Sequence, residues 1–190
     1  LDLGSRLGNW GEARIGVEYG FLKTRNRSGL GLEEFRGWRG GYTAFLGIDS
    51  LDAPVFPRRG FESRTSLFLG REDFGRDLHY SRLAGNARGV FSLGPHTFQL
   101  GLAGGSDLGT ALPQFDEFTL GGLYRISGTL DGQLRGRHYG LATVGWYRPV
   151  WRGAGLFSPT YLVGLGLEAG NTWQTRDAAR WDDVIVALNL

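Results

Sequence analysis

Apolar and polar residues alternate along most of the chain. In residues 12–22, every second position from Ala13 to Phe21 is apolar, and the positions between them carry Glu, Arg or Gly. A repeat of two residues is that of a β-strand with one apolar and one polar face, whereas a helix would mix these residues around its circumference. The same alternation predicts about nine strands and no helix, at residues 1–7, 12–22, 39–49, 61–72, 79–93, 96–105, 138–148, 160–170 and 184–190.

The predicted strands have the length and charge pattern of membrane-spanning strands. Many reach about 10 residues, the length that crosses a bilayer, whereas strands of soluble sheets are typically 5–6 residues long. A soluble sandwich or lipocalin would turn the charged faces to water, and a membrane barrel would turn them to a polar lumen. Alternation fits both, but strand length, charge in mid-strand and aromatic residues near strand ends favour the membrane barrel. Those aromatic residues are Trp10, Tyr19, Phe21, Trp38, Trp146, Tyr147, Trp151, Trp173 and Trp181.

The composition excludes several other classes of protein. The chain has 33 Gly but no Cys and no Met, so a disulfide scaffold, a thiolate zinc site and a cysteine nucleophile are all excluded. Its net charge is +2, and its basic residues, all Arg except Lys23, are scattered along the chain. Nucleic acid is therefore not an expected partner. No apolar run approaches the roughly 20 residues of a membrane helix.

Catalytic and metal-binding motifs are not found. A serine-hydrolase elbow, G-x-S-x-G, does not occur, and the nearest match, residues 104–108, lacks the final Gly. The three histidines, His79, His96 and His138, lie at strand starts without the spacing of a metal motif. We therefore expect no catalytic residues, no metal and no cofactor in these 190 residues.

The connections between strands alternate in length, and residues 106–137 form the longest. Short periplasmic turns and longer extracellular loops alternate in this way in outer-membrane barrels. The long segment contains FDEFTLGGLYRISGTLDGQLRGRHY, which is rich in aromatic residues and Gly. Loops of this length in a compact domain are usually functional or disordered, and this composition is not that of disorder. We expect an ordered loop that closes the mouth of a barrel.

Four segments resemble a known family in their order along the chain. FTLGG…RISG resembles the inward-folded loop of the outer-membrane assembly and translocation barrels, the superfamily of BamA, TamA and the two-partner-secretion transporters, also called bacterial surface antigen domains. FPRRGF (56–61) resembles a turn between two of its barrel strands, and GLEAGNTW (166–173) resembles its acidic strand motif. LGNWGEARIGVEYG (7–20) and the RISG form of the loop motif are similar to the barrels fused to patatin-like lipases.

The resemblance implies a transmembrane antiparallel β-barrel of the sixteen-stranded type in the bacterial outer membrane. Residues 1–190 would be part of one such barrel domain, with about nine of its strands, and the N-terminal and C-terminal strands would be missing. It also implies a translocator that secretes or inserts a polypeptide, with a fused patatin-like lipase as passenger in a type V secretion arrangement. The expected partners are membrane lipid, a polypeptide passenger or client, and a second copy of the chain in a homo-oligomer.

Other functions also fit the sequence. An assembly barrel of the BamA or TamA type and a passive porin agree with the strand pattern as well. An outer-membrane enzyme barrel and a soluble ligand-binding barrel are the remaining alternatives.

The resemblance also implies which residues carry the function. The loop would present Gly121, Gly122, Arg125, Ser127 and Gly128 to the lumen, where an Arg of the family's loop contacts an acidic residue of a later strand. That acidic residue falls on Glu168, which alternation places on the polar face. An unpaired charge is costly in a partly dehydrated lumen, and an Arg–carboxylate pair fixes orientation. The expected pair is Arg125 with Glu168; Arg135 and Arg137 are alternatives, and a chance pairing inside a charged lumen stays equally open.

Overall fold

The computed structural model describes residues 1–24, 34–71, 78–153 and 160–189, except for the side chains at positions 152 and 181. Long strands dominate these residues, as the alternation predicts. The strands are β1 (Asp2–Arg6), β2 (Gly11–Lys23), β3 (Arg36–Asp49), β4 (Gly60–Gly70), β5 (Ser81–Leu93), β6 (His96–Ser106), β7 (Phe118–Leu120), β8 (Leu134–Gly136), β9 (His138–Arg152), β10 (Thr160–Trp173) and β11 (Ile185–Asn189).

Nine of these strands form one antiparallel sheet. Their order is β1-β2-β3-β4-β5-β6-β9-β10-β11, so each strand pairs with its nearest long neighbour in sequence. The two short strands, β7 and β8, pair only with each other and form a hairpin within the long connection from β6 to β9. The sheet is thus an up-and-down meander with one inserted hairpin.

All nine predicted strands are present in the sheet, with ends that differ by a few residues. Within the described residues, the prediction missed the β7–β8 hairpin and the short 3-10 helices Gln114–Asp116, Arg176–Ala178 and Trp181–Asp183. Strands of three residues are too short for an alternating pattern to be recognised. Residues 25–33, 72–77, 154–159 and 190 lie outside the described residues, and with them the last position of the predicted strands at 61–72 and 184–190.

The two faces of the sheet differ as a membrane barrel requires. On one face, which we call the outer wall, apolar side chains such as Ile15, Leu102 and Leu167 are 67%, 68% and 47% exposed. The opposite, inner face carries charged side chains, and the long connection packs against it. Apolar side chains directed outward and polar ones inward match lipid outside and a lumen inside.

The inner-face arginines of β2 to β5 are paired with carboxylates. Each of the five has an Asp or Glu oxygen within 4 Å, and the chain segment between β6 and β9 supplies one of these acids. The pairs are Arg14–Glu12 at 3.3 Å, Arg39–Glu18 at 3.0 Å, Arg64–Glu62 at 3.6 Å, Arg82–Asp116 at 3.7 Å and Arg88–Glu62 at 3.1 Å.

Aromatic side chains cluster at both ends of the strands. At the end where β2 meets β3, which we call the long-loop end, Trp38 stacks on Tyr19 at 5.0 Å between ring centroids. At the opposite, short-turn end, where β1–β2, β3–β4, β5–β6 and β9–β10 are joined, Trp146 stacks on His96 at 5.7 Å. Two aromatic rims on either side of an aliphatic band are typical of strands that cross a membrane.

Tyr147 is not part of the rim at the short-turn end, contrary to the sequence-based expectation. Its hydroxyl donates to the carbonyl of Pro57, and the side chain is buried on the inner face. The alternation explains this difference, because Trp146 occupies the outward position next to it. Within the described residues, no helix has the length and apolar character needed to cross a membrane.

Candidate functional site

The long connection between β6 and β9, residues 107–137, packs against the inner face of the sheet. We call it the inward loop. Phe118 of β7 is 3% exposed and its ring lies 4.9 Å from that of Tyr139 on β9. The wall leaves room for this ring at Gly105, where a Cβ atom would lie 2.5 Å from Phe118. Glycine in a strand interior is therefore explained here by the close approach of the loop.

The tip of the inward loop is residues 121–129, and it rests on an apolar patch of the wall. Ile126 is fully buried and Leu120, just before the tip, is 1% exposed. Both pack with Ala187 of β11, and four partly buried side chains surround them. Burying an aliphatic side chain of this size contributes roughly 1.5–3 kcal/mol. The surrounding side chains are Leu134, Tyr139, Leu141 and Ile185.

Beside this patch, the carboxylate of Glu168 binds the tip of the loop. Its Oε2 accepts hydrogen bonds from the backbone N–H groups of Ile126 at 2.7 Å and Ser127 at 2.6 Å. Its Oε1 accepts from the Ser127 hydroxyl at 3.0 Å and from Nδ2 of Asn189 at 2.6 Å. Glu168 is only 2% exposed, so its charge is balanced by four hydrogen bonds in place of water.

The backbone of the tip is shaped to present these two N–H groups. Tyr124 and Ile126 have φ values of 62° and 76°, which are rare for residues with a side chain and rarest for a β-branched one. Gly122 and Gly128, at 87° and 92°, continue the pattern on either side. Successive N–H groups in such a backbone form a concave anion site. The carboxylate stabilises a conformation that costs about 1–3 kcal/mol per strained residue.

The predicted ion pair between Arg125 and Glu168 does not form. The Arg125 guanidinium donates instead to the carbonyl of Thr119 at 2.7 Å, within the loop itself. The two alternatives do not reach Glu168 either, since Arg135 donates to the carbonyl of Gln114 and Arg137 lies 3.8 Å from Asp107. The physical reason is that backbone N–H groups, a hydroxyl and an amide already occupy both carboxylate oxygens.

A second acidic residue attaches the loop to the opposite side of the inner face. Asp116, which ends the short helix before β7, accepts the Tyr80 hydroxyl at 2.5 Å. Its carboxylate lies 3.5 Å from Arg39 and 3.7 Å from Arg82. The Arg82 guanidinium also lies 4.2 Å above the ring of Phe118, a cation–π contact. Arg82 Nε also donates to the backbone carbonyl of Asp116 at 3.1 Å, and the Asp116 side chain is 22% exposed.

The two ends of the inward loop are also joined. Asp107 follows β6, is 4% exposed, and lies 3.4 Å from His138 at the start of β9. Its Oδ1 also accepts the backbone N–H of Gly109 at 2.9 Å. The loop therefore leaves and rejoins the sheet at one point and is attached to the wall on two sides beyond it.

Two residues of this site lie outside the sequence-based prediction. Asn189 lies on the face opposite to the outward Val186 and Leu188, so alternation is a signal that could have revealed its inward position. Asp116 precedes the resemblance motif and carries no such signal. Beside Asp116, Arg39 and Arg82 lies a cavity of about 500 Å³. In the described part of the chain, no three His, Cys, Asp or Glu side chains are arranged to hold a metal ion.

The comparisons with known proteins agree with this architecture. Residues 15–150 match the Omp85 superfamily domain. The structure is similar to the crystal structure of BamA from Haemophilus ducreyi lacking POTRA domains 1–3, with a TM-score of 0.75 at 15% sequence identity. The likeness covers 92% of this chain and 41% of that chain, so the chain spans less than half the length of the BamA structure.

No functionally curated protein matches the sequence significantly. The domain match nevertheless covers well over half of the chain, and the likeness to BamA supports the barrel fold. The chain lies in the bacterial outer membrane, and its apolar outer wall faces lipid. The chain therefore belongs to the Omp85 superfamily of outer-membrane β-barrels.

Proposed function

We propose that this chain forms part of the wall of a pore that secretes or inserts a polypeptide, and that the inward loop closes the pore. The observation that carries the proposal is the attachment of the loop tip to Glu168 inside the lumen. A loop held across the inner face by a buried carboxylate blocks the space that a polypeptide must use.

The chemistry of the attachment fits a closure that a polypeptide client can displace. The tip is held chiefly through peptide N–H groups, and every unfolded client carries the same groups. Glu168 is a single acceptor shared by four donors, so the tip is released as a unit once the carboxylate finds other partners. In this proposal Gly122 and Gly128 provide the tip's backbone shape, Gly121 places it, and Ser127 adds the hydroxyl donor.

The proposal is tested by the conductance of the full protein in a planar lipid bilayer. Glu168→Gln removes the charge and turns one acceptor into a donor, so the loop should leave the lumen and the open fraction should rise severalfold. The matched control is Glu12→Gln, because Glu12 is an inner-face glutamate that pairs with Arg14 of the wall rather than with the loop. An open fraction unchanged in Glu168→Gln, or raised equally in both variants, would contradict a closing role for the loop.

A passive porin is separated from a polypeptide pore by a second readout. An unfolded client added on one side should block the current of the Glu168→Gln pore in a voltage-dependent way and become protease-accessible on the other side. A passive porin would conduct ions with no such transfer. Insertion, as distinct from secretion, would leave the client protected in the bilayer instead.

The identity of the passenger rests on two segments that resemble the patatin-linked barrels, residues 7–20 and the RISG motif. We propose a fused patatin-like lipase because residues 125–128 resemble the loop of that subgroup. The test is the complete reading frame upstream of these residues. A domain with a G-x-S-x-G elbow would support the lipase passenger, and tandem periplasmic repeats alone would favour an assembly barrel of the BamA or TamA type.

A further inference from the structure

Arg148 lies on the outer wall, where most neighbouring side chains are apolar. In β9 it is paired with Val163 of β10, and Trp146 on the same face is paired with Leu165. Val163 and Leu165 are both 45% exposed on this wall. Since side chains alternate along a strand, Arg148 faces outward with Trp146, whereas Tyr147 between them faces inward.

The surroundings of Arg148 provide no anion within the described residues. The inner-face arginines of β2 to β5 each have a carboxylate nearby, for example Arg14 with Glu12 at 3.3 Å. No described acidic side chain lies within 4 Å of Arg148, and its Nε is buried without a hydrogen-bond partner. The connection that follows β9, residues 153–159, contains no acidic residue in its sequence, GAGLFSP. Arg148 therefore has no counter-charge among the described residues, and its charge is open to an anion from outside them.

The position of Arg148 along the strand identifies where that anion lies. Trp146 stacks on His96 on one side of it, and Trp151 packs on Tyr161 at 5.1 Å on the other. Trp and Tyr side chains of such rims lie at the level of the lipid headgroups. A cation on the lipid-facing wall costs roughly 2–4 kcal/mol at the bilayer centre but about 0–1 kcal/mol near the interface. Arg148 thus lies at headgroup depth.

We propose that Arg148 binds the phosphate of a phospholipid headgroup on the outer wall, in the leaflet at the short-turn end. The planar guanidinium matches a phosphate with two parallel hydrogen bonds, and phosphate is the anion present at this depth. The Trp146 Nε1 donates to Nδ1 of His96 at 3.0 Å, so a neutral His96 carries its proton on Nε2. That proton is a second donor in the same rim.

This inference is independent of whether a polypeptide crosses the barrel. It needs only the orientation of the wall in the membrane and the outward position of Arg148. Short turns of outer-membrane barrels are periplasmic, so the bound lipid belongs to the periplasmic leaflet. A specific lipid at β9 would fix the height of this wall relative to the bilayer.

The test is lipid binding to the full protein, stripped of lipid in a neutral detergent and observed by native mass spectrometry. Three probes are titrated: phosphatidylglycerol, a diacylglycerol with the same chains, and inorganic phosphate. The wild-type protein should bind phosphatidylglycerol and not the diacylglycerol. Arg148→Gln should weaken this binding about fivefold, the effect of one basic residue near a headgroup surface, and Arg148→Lys should retain most of it.

The matched control is Arg64→Gln. Arg64 is a partly exposed arginine of the inner face, 3.6 Å from Glu62, and its replacement should leave phosphatidylglycerol binding unchanged. Heat-modifiable gel migration checks that each variant is folded. If Arg148→Gln does not fold, the proposal is still tested by which of the three probes the wild-type protein binds. Equal binding by wild type and Arg148→Gln, equal binding of diacylglycerol, or displacement of the lipid by inorganic phosphate would each overturn the proposal.

Discussion

Two carboxylates of this chain bind consecutive backbone N–H groups in very different surroundings. Glu168, inside the lumen, accepts the N–H groups of Ile126 and Ser127 at 2.7 and 2.6 Å and is 2% exposed. Asp52, in the turn between β3 and β4, accepts those of Arg58 and Arg59 at 2.8 and 3.2 Å and is exposed to solvent. The chemical motif is the same, and the difference lies in access to water.

The comparison teaches that burial, more than the number of hydrogen bonds, decides what such a contact is worth. If Asp52 is lost, water can hydrate the two freed N–H groups, so little free energy changes. If Glu168 is lost, the N–H groups of the loop tip remain buried without acceptors, and leaving such donors unsatisfied costs the full desolvation penalty. The first contact shapes a turn, and the second holds a loop of 31 residues (107–137) in the lumen.

The largest difference is expected between Glu168→Ala and its matched control Asp52→Ala. Removing Glu168 should destabilise the docked tip by roughly 3 kcal/mol or more, because two peptide N–H groups and the Ser127 hydroxyl lose their acceptor at about 1–3 kcal/mol each. Hydrogen exchange by mass spectrometry, on peptides covering residues 121–130, should show protection lost by at least two orders of magnitude. Asp52→Ala should leave that segment unchanged. Equal and small changes in both variants would mean that burial is not what distinguishes the two contacts.

Ser127→Ala is the next strongest test. It removes the hydroxyl that donates to Glu168 at 3.0 Å and leaves both backbone donors in place. A hydrogen bond to a charged group contributes about 1.5–3 kcal/mol, so protection of residues 121–130 should fall roughly tenfold or more, yet less than in Glu168→Ala. If Ser127→Ala equalled Glu168→Ala, the hydroxyl and not the backbone would be the principal donor.

Asp116→Asn addresses the partly exposed attachment, which lies between the two extremes in burial. Replacing the charge weakens its interactions with Arg39 and Arg82, and the loss should be about 1 kcal/mol because ion pairs with access to water are screened. Exchange in residues 112–118 should rise about fivefold at low salt. In the wild-type protein, raising the salt to 1 M should produce a similar rise, while residues 121–130 stay protected. A salt effect of equal size on residues 112–118 and on residues 121–130 would contradict the expectation that the more exposed attachment is the weaker one.

The smallest expected effect is the pH dependence of the Asp52 turn. The backbone N–H of Arg58 lowers the pKa of Asp52 below its ordinary value of 3.8. A carboxyl with a lowered pKa in the folded state stabilises the turn above its unfolded pKa and loses that effect as the pH falls through the folded pKa. Protection factors of residues 50–60, corrected for intrinsic exchange, should therefore be constant above about pH 5. They should decrease as the pH falls below 3.8, the ordinary pKa of Asp52. In Asp52→Asn the same profile should be flat, and an identical fall there would assign it to another group.

The strands could be predicted from the sequence because each one repeats the same contrast between lipid and lumen. Alternation by itself places Glu168 on the inner face, and the family resemblance places residues 121–128 opposite it. These features depend on the identity of side chains, which the sequence states directly. The resemblance is confirmed at the level of the superfamily, and the patatin-linked branch stays a prediction.

Two of the four donors to Glu168 could not be predicted, because they are backbone groups. Every residue except proline carries an N–H group, so no residue type marks Ile126 and Ser127 as the donors. Their orientation depends on positive φ at Tyr124 and Ile126, which an Ile residue by itself disfavours. The wall that surrounds the tip imposes this contact. The ion pair predicted between Arg125 and Glu168 was wrong, although Arg125 is the residue whose charge the sequence shows.

The pairing of inner-face charges also bears on how this wall is assembled. Arg14–Glu12 and Arg64–Glu62 each lie within one strand, and Arg39–Glu18 joins the adjacent strands β2 and β3. Any route that brings neighbouring strands into the bilayer together therefore carries these arginines across with their counter-charges in place. The part of the wall from β2 to β4 therefore carries its own counter-charges, whereas Arg82 of β5 gains its carboxylate, Asp116, only when the loop packs inside.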